Sequence, residues 1–151
     1  MKNNKGITLV TVIATVVLLV IISGLSVYYG IDTYKASKVA KFETYMRAIQ
    51  KKVDILMEEE VDYTTIGSPI SEQNITKLQQ IIEQDYYVET TEEDLAETEY
   101  LRYFSSADIS TYFEIDNTGD EIVVNFANRE IISLNGIEKD GIMHYVEVGL
   151  H

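Results

Sequence analysis

Residues 7–31 read ITLVTVIATVVLLVIISGLSVYYGI, and the rest of the chain takes its meaning from this run. Eighteen of these twenty-five residues are apolar, and the only ionisable groups are the phenols of Tyr28 and Tyr29. A helix rising about 1.5 Å per residue would make the run roughly 38 Å long, more than the ~30 Å hydrocarbon core of a bilayer. Thr8, Thr11 and Thr15 do not spoil such a span, because a helical threonine hydroxyl returns its hydrogen bond to a carbonyl one turn earlier. A secretory signal peptide has a shorter apolar region, about 7–15 residues, followed by a small-x-small cleavage site. The one candidate here, Gly24-Leu25-Ser26, is a poor match.

Outward from the run, the charged leader with Lys2 and Lys5 ends at Gly6, and apolar sequence begins at once. On the other side the helical pattern continues. Val39, Phe42, Met46, Ile49, Val53 and Leu56 recur at spacings of 3 and 4, which places them along one helix face. No proline interrupts residues 7–60. The pattern predicts one long helix: an apolar segment over 7–31 and an amphipathic continuation over 32–60.

Charge divides the chain as well. Residues 1–52 hold eight basic and two acidic side chains, a net +6, whereas residues 53–151 hold four and twenty-three, a net −19. The overall charge of −13 argues against a nucleic-acid partner, since phosphate contacts need cations. The 151 residues exclude a large multidomain enzyme. No cysteine means no disulfide and no thiolate zinc site, and two histidines with no nucleophile constellation give no reason to expect an enzyme or a cofactor.

Lys5-Gly6 followed by Ile7-Thr8-Leu9-Val10 and a long apolar helix resembles the N-terminal motif of type IV pilins and pseudopilins. The resemblance implies that a prepilin peptidase cuts after Gly6 and methylates the new N-terminus at Ile7, with Thr8 and Leu9 matching the positions that follow. Two departures stand out. The family usually opens with Phe, where this chain has Ile7, and its fifth mature position is normally Glu, where this chain has Thr11. That Glu is thought to meet the N-terminal amine of a neighbouring subunit, so Thr11 suggests a minor, terminal subunit. What the resemblance implies is a single-pass protein of the cell membrane, stored through residues 7–31 with its ectodomain outside. Its partners would be membrane lipid, the pilus assembly machinery and other pilin subunits packed through the N-terminal helix. The product would be a cell-surface filament of the type IV pilus, type II secretion or competence kind. Two other readings fit the same run: a membrane-anchored extracellular binding domain that never polymerises, and a soluble domain released after about Ser26.

The ectodomain reads as α+β. Residues 61–99 form a connection that breaks at Gly67-Ser68-Pro69, carries a short helix capped by Ser71 with Ile75, Leu78, Ile81 and Ile82 on one face, and ends in an acidic stretch. That stretch, residues 83–99, has eight acidic and no basic side chains and reads as a solvated loop rather than a cation or partner site. Residues 100–151 read as an antiparallel sheet. Tyr112 to Asp116 and Glu121 to Phe126 are expected to pair through the turn Asn117-Thr118-Gly119-Asp120; Arg129 to Leu134 and Ile142 to Val148 follow, and Tyr100 to Phe104 adds an edge strand. The stripe from Val39 to Leu56 should pack on one face of this sheet. A long N-terminal helix against a small antiparallel sheet is also pilin-like. The order Asn117, Gly119, Glu121, Gly136, Gly141, Tyr145 is similar to the closing block of pilin-like proteins from Gram-positive bacteria.

Asp116, Asn117, Asp120 and Glu121 cluster in one turn and offer oxygen ligands to a cation such as Ca²⁺. Their spacing is not that of a recognised calcium loop, and Asn-Thr-Gly-Asp is good turn chemistry by itself. His144 is expected as a half-buried strand residue, and His151 closes the chain.

Overall fold

The structure, a computed structural model, describes the backbone of residues 4–116 and 119–147, and the side chains of those residues apart from 4–7 and 25–29. The chain divides into two units, Met1–Ser37 and Lys38–His151, each treated by itself. Helix α1, Asn4–Glu58, is continuous, as the absence of proline and the unbroken 3.6-residue pattern require. In the first unit every described side chain from Thr8 to Gly24 is exposed. Among the described residues, no helix is long and apolar enough to cross a membrane. The apolar stretch with described side chains, Thr8 to Gly24, measures about 25 Å at 1.5 Å per residue. A span over 7–31 therefore remains an expectation.

In the second unit the stripe does what its spacing predicts from Phe42 onward, whereas Val39 is only half-buried and outside the core. Phe42, Met46, Ile49 and Val53 are buried, with Leu56 packed at their margin. Each such side chain stabilises the fold by about 1.5–3 kcal/mol relative to leaving it in water. Their partners lie on one face of a four-stranded antiparallel sheet ordered β1 (Ser68–Pro69), β2 (Leu101–Phe104), β3 (Ile122–Asn125), β4 (Glu130–Ser133). Phe104, Ile122, Val124 and Ile131 share this core with the α1 stripe. Leu101, Val123, Ile132 and Leu134 belong to a second core with Leu78 and Ile81 of helix α2 (Glu72–Gln84) and Leu95 of helix α3 (Glu92–Ala96). The sheet is thus covered on both faces, which is why β3 is buried at every position, with apolar residues from Ile122 to Val124 and the polar Asn125 at its end.

Several expectations need correction. Tyr112 to Asp116 is not a strand. Helix α4, Ser106–Phe113, occupies this stretch and ends at Glu114, whose φ of 56° is left-handed. The helix wins because Ser105 and Asp108 form a capping box and because Ile109 and Phe113, four apart, both reach the core. Consequently β3 pairs not with 112–116 but with β2, Phe104 opposite Ile122 and Leu101 opposite Asn125. The expected edge strand is interior, because Ser68–Pro69 pairs outside it. Proline tolerates that place, having no N–H to offer a ladder. Gly67, at φ +63°, is required there: a Cβ would lie 2.7 Å from the carbonyl oxygen of Tyr103.

The last strands leave the main sheet. β5 (Ile137–Lys139), not foreseen, pairs with β6 (Ile142–His144) as a separate hairpin. Asp140 and Gly141 both have positive φ, the geometry a two-residue hairpin turn demands. β6 is shorter than the expected 142–148.

Candidate functional site

Gly6 and Ile7 lie in the helical backbone of α1 but outside the residues with described side chains. Thr8, Leu9 and Thr11 are described and exposed. The Thr15 hydroxyl donates to the Thr11 carbonyl at 2.8 Å, the local back-bond that lets threonine sit in an apolar helix. The expected cleavage point after Gly6 therefore precedes a surface with Leu9, Val10, Val12, Ile13, Val16 and Val17 all exposed.

Two of the four residues weighed as weak cation ligands, Asp120 and Glu121, are engaged as hydrogen-bond acceptors. Asp120, 7 % exposed, accepts from Ser133 Oγ at 2.6 Å, from Tyr45 OH of α1 at 3.2 Å and from the Asn135 backbone N–H at 3.3 Å. Glu121 accepts from the Tyr103 hydroxyl at 2.5 Å. Burial, then Glu121, pushes the Tyr103 phenol up to about 12. Asp116 is exposed, and Asn117 lies outside the described residues. The carboxylates at 120 and 121 serve as acceptors for hydroxyl and backbone donors that hold the strand ends. Among the described residues no group of three or more acidic or imidazole side chains is placed to hold a metal.

The acidic stretch is neither uniformly solvated nor a cluster. Glu83, Glu89, Glu92, Glu93, Glu97 and Glu99 are exposed, as a solvated loop predicts. Asp94 closes a capping box with Thr91 on α3. Thr90 is buried against Glu130 of β4, whose carboxylate accepts from the Glu89 N–H at 2.6 Å, the Thr90 N–H at 2.7 Å and the Thr90 hydroxyl. Asn125 Nδ2 donates to Thr90 Oγ1 at 3.2 Å. Burial raises the Glu130 carboxyl above its ordinary value, opposed by these hydrogen bonds from Thr90 and Glu89.

Asp85, only 3 % exposed, is the C-cap of α2 and the hinge of the remaining site. Its Oδ1 accepts from the Tyr87 N–H at 3.1 Å and its Oδ2 from the Tyr145 N–H at 2.8 Å, joining the end of α2 to the end of β6. His144, expected half-buried, is 8 % exposed. Its Nδ1 is fully buried without a hydrogen-bond partner and stands 3.8 Å from Asp85 Oδ1. The ring lies 5.9 Å from that of Tyr87, which meets Tyr86 edge-on at 6.0 Å. An open cleft of ≈ 380 Å³ is lined by Gln84, Asp85, Tyr86 and Tyr87 from the end of α2 and by Lys139, Asp140, Ile142 and His144 of the hairpin. Sequence reasoning missed this site. Asp85 and Tyr145 are 60 residues apart, so no local spacing signals their meeting. The aromatic pair Tyr86-Tyr87 directly after a helix was the one visible hint. His151 lies outside the described residues.

Comparison with protein-family profiles, curated proteins and solved structures finds no match to this chain.

Proposed function

We propose that the chain is a minor pilin or pseudopilin: a structural subunit of a type IV pilus-like or type II secretion-like filament, processed by prepilin peptidase after Gly6. One observation carries the reading. A single helix bears an uncharged, exposed, apolar surface from Thr8 to Gly24, and the same helix buries a separate stripe, Phe42 to Val53, in an α+β unit. A surface of that size calls for cover, and lipid before assembly and neighbouring helices after it both supply apolar contact. The leader ending at Gly6 supplies the means of passing from one to the other. The ectodomain would then be the outward, acidic part of the subunit.

N-terminal sequencing of the mature protein tests this. A start at Ile7 with a methylated amine supports the pilin. Retention of Lys2 supports an uncleaved anchor carrying a binding domain, and a start near Leu25 or Val27 supports a secreted domain.

A further inference from the structure

The cleft between the end of α2 and the β5–β6 hairpin has no part in processing or in the apolar helix. We propose that it binds a neutral saccharide, through aromatic stacking on Tyr86 and Tyr87 and hydrogen bonds to His144 and the polar residues of the rim. Its size falls in the range of small-ligand sites, which pair apolar walls with a few placed polar groups.

The chemistry of the walls narrows the ligand. Tyr86 is 95 % exposed and Ile142 58 %, so large apolar faces meet water at the cleft. Tyrosine rings offer such faces together with a polar tip, which suits a ligand having both C–H surfaces and hydroxyls. Charge does not select an ion. Asp85 is buried and already accepts two backbone N–H groups, and Lys139 stands next to Asp140 on the rim. A cationic ligand would meet Lys139, and an anionic one would meet Asp140. A wholly apolar ligand would leave the imidazole Nδ1 without a partner, at a cost in desolvation.

The imidazole is set for a hydroxyl. Its buried Nδ1 stands 3.8 Å from Asp85 Oδ1, too long for a hydrogen bond, and has no hydrogen-bond partner within the protein. The ring lines the cleft, and an imidazole suits a hydroxyl because a hydroxyl both donates and accepts. Contact with the Tyr87 ring holds the imidazole in place.

The test uses the full chain, in a detergent without a sugar headgroup, with its Tyr and His rings labelled for NMR. Cellobiose, maltose, lactose and N,N′-diacetylchitobiose are titrated to about 10 mM, the upper end of weak binding, with tri-lysine as the cationic control. At least one disaccharide should shift the Tyr86, Tyr87 and His144 signals, and Tyr86→Ala should weaken that binding by about tenfold. Because Tyr86 is almost wholly exposed, its removal leaves the fold intact. The proposal is overturned if no disaccharide moves these signals, if tri-lysine does so instead, or if Tyr86→Ala binds as the parent does. None of these readouts depends on cleavage after Gly6.

Discussion

Glu130 shows how a single carboxyl is caught between two demands. Burial favours its neutral form, whereas the N–H groups of Glu89 and Thr90 and the Thr90 hydroxyl favour the ion, and burial prevails. A carboxyl whose folded pKa lies above its unfolded one binds protons more tightly in the native state. Its contribution is therefore fully present below the ordinary carboxyl value and is lost as pH rises through the raised folded value. Glu130→Gln should abolish that part of the decline. Urea unfolding at a series of pH values from about 4 upward should give a flatter profile for the variant, and an unchanged slope would assign the decline to other groups. Glu130 is legible in the sequence only as one more acid in an acidic half. Its 40-residue reach to Thr90 is a property of the fold.

At the scale of the element, α4 is the instructive case. The alternation Tyr112-Phe113-Glu114-Ile115-Asp116 has the period of a strand, but five residues cannot outvote a good cap upstream. Ser105 accepts from the Asp108 N–H at 3.2 Å, and Asp108 returns a bond to the Ser105 N–H at 3.1 Å. With only eight residues, this helix has few internal bonds to spare. Ser105→Ala should cost about 1 kcal/mol of stability, as lost caps do, seen as a lower urea midpoint with an unchanged m-value. A neutral substitution would mean that the Ile109 and Phe113 contacts alone hold α4. The signal was available, since Ser-x-x-Asp lies before the apolar pair. Its weight against the alternation was set by which side chains find a core.

For the whole molecule, the proposed assembly makes two residues decisive, and both lie in the helix that the sequence reads most clearly. A peptidase cutting after position 6 must approach backbone with no side chain in the way, so Gly6→Val should leave a precursor carrying residues 1–6. Mass spectrometry of membranes from expressing cells checks this, and normal processing of the variant would remove the argument from the leader. Cleavage also creates a cationic amine at Ile7, and an unpaired buried charge costs several kcal/mol. Thr11 supplies a hydroxyl but no charge to a neighbour's amine, which favours a terminal place where no such pairing is needed. Thr11→Glu should raise the share of this subunit in sheared filaments, measured by quantitative immunoblot. An unchanged share would mean that the position tolerates threonine throughout the fibre.

The sequence by itself determined the long α1 helix, its apolar first half, the buried stripe Phe42–Val53 and the capped helix α2, because each rests on local periodicity and caps that neighbouring residues supply. Tertiary structure alone decided that β2 is interior, that β5 and β6 leave the main sheet, that Asp120 is a structural acceptor, and that Asp85 and His144 face a cleft with Tyr86 and Tyr87. These outcomes depend on which distant segments bury each other's apolar faces and satisfy each other's backbone groups. That competition is settled over the whole chain, and no short window of sequence contains it.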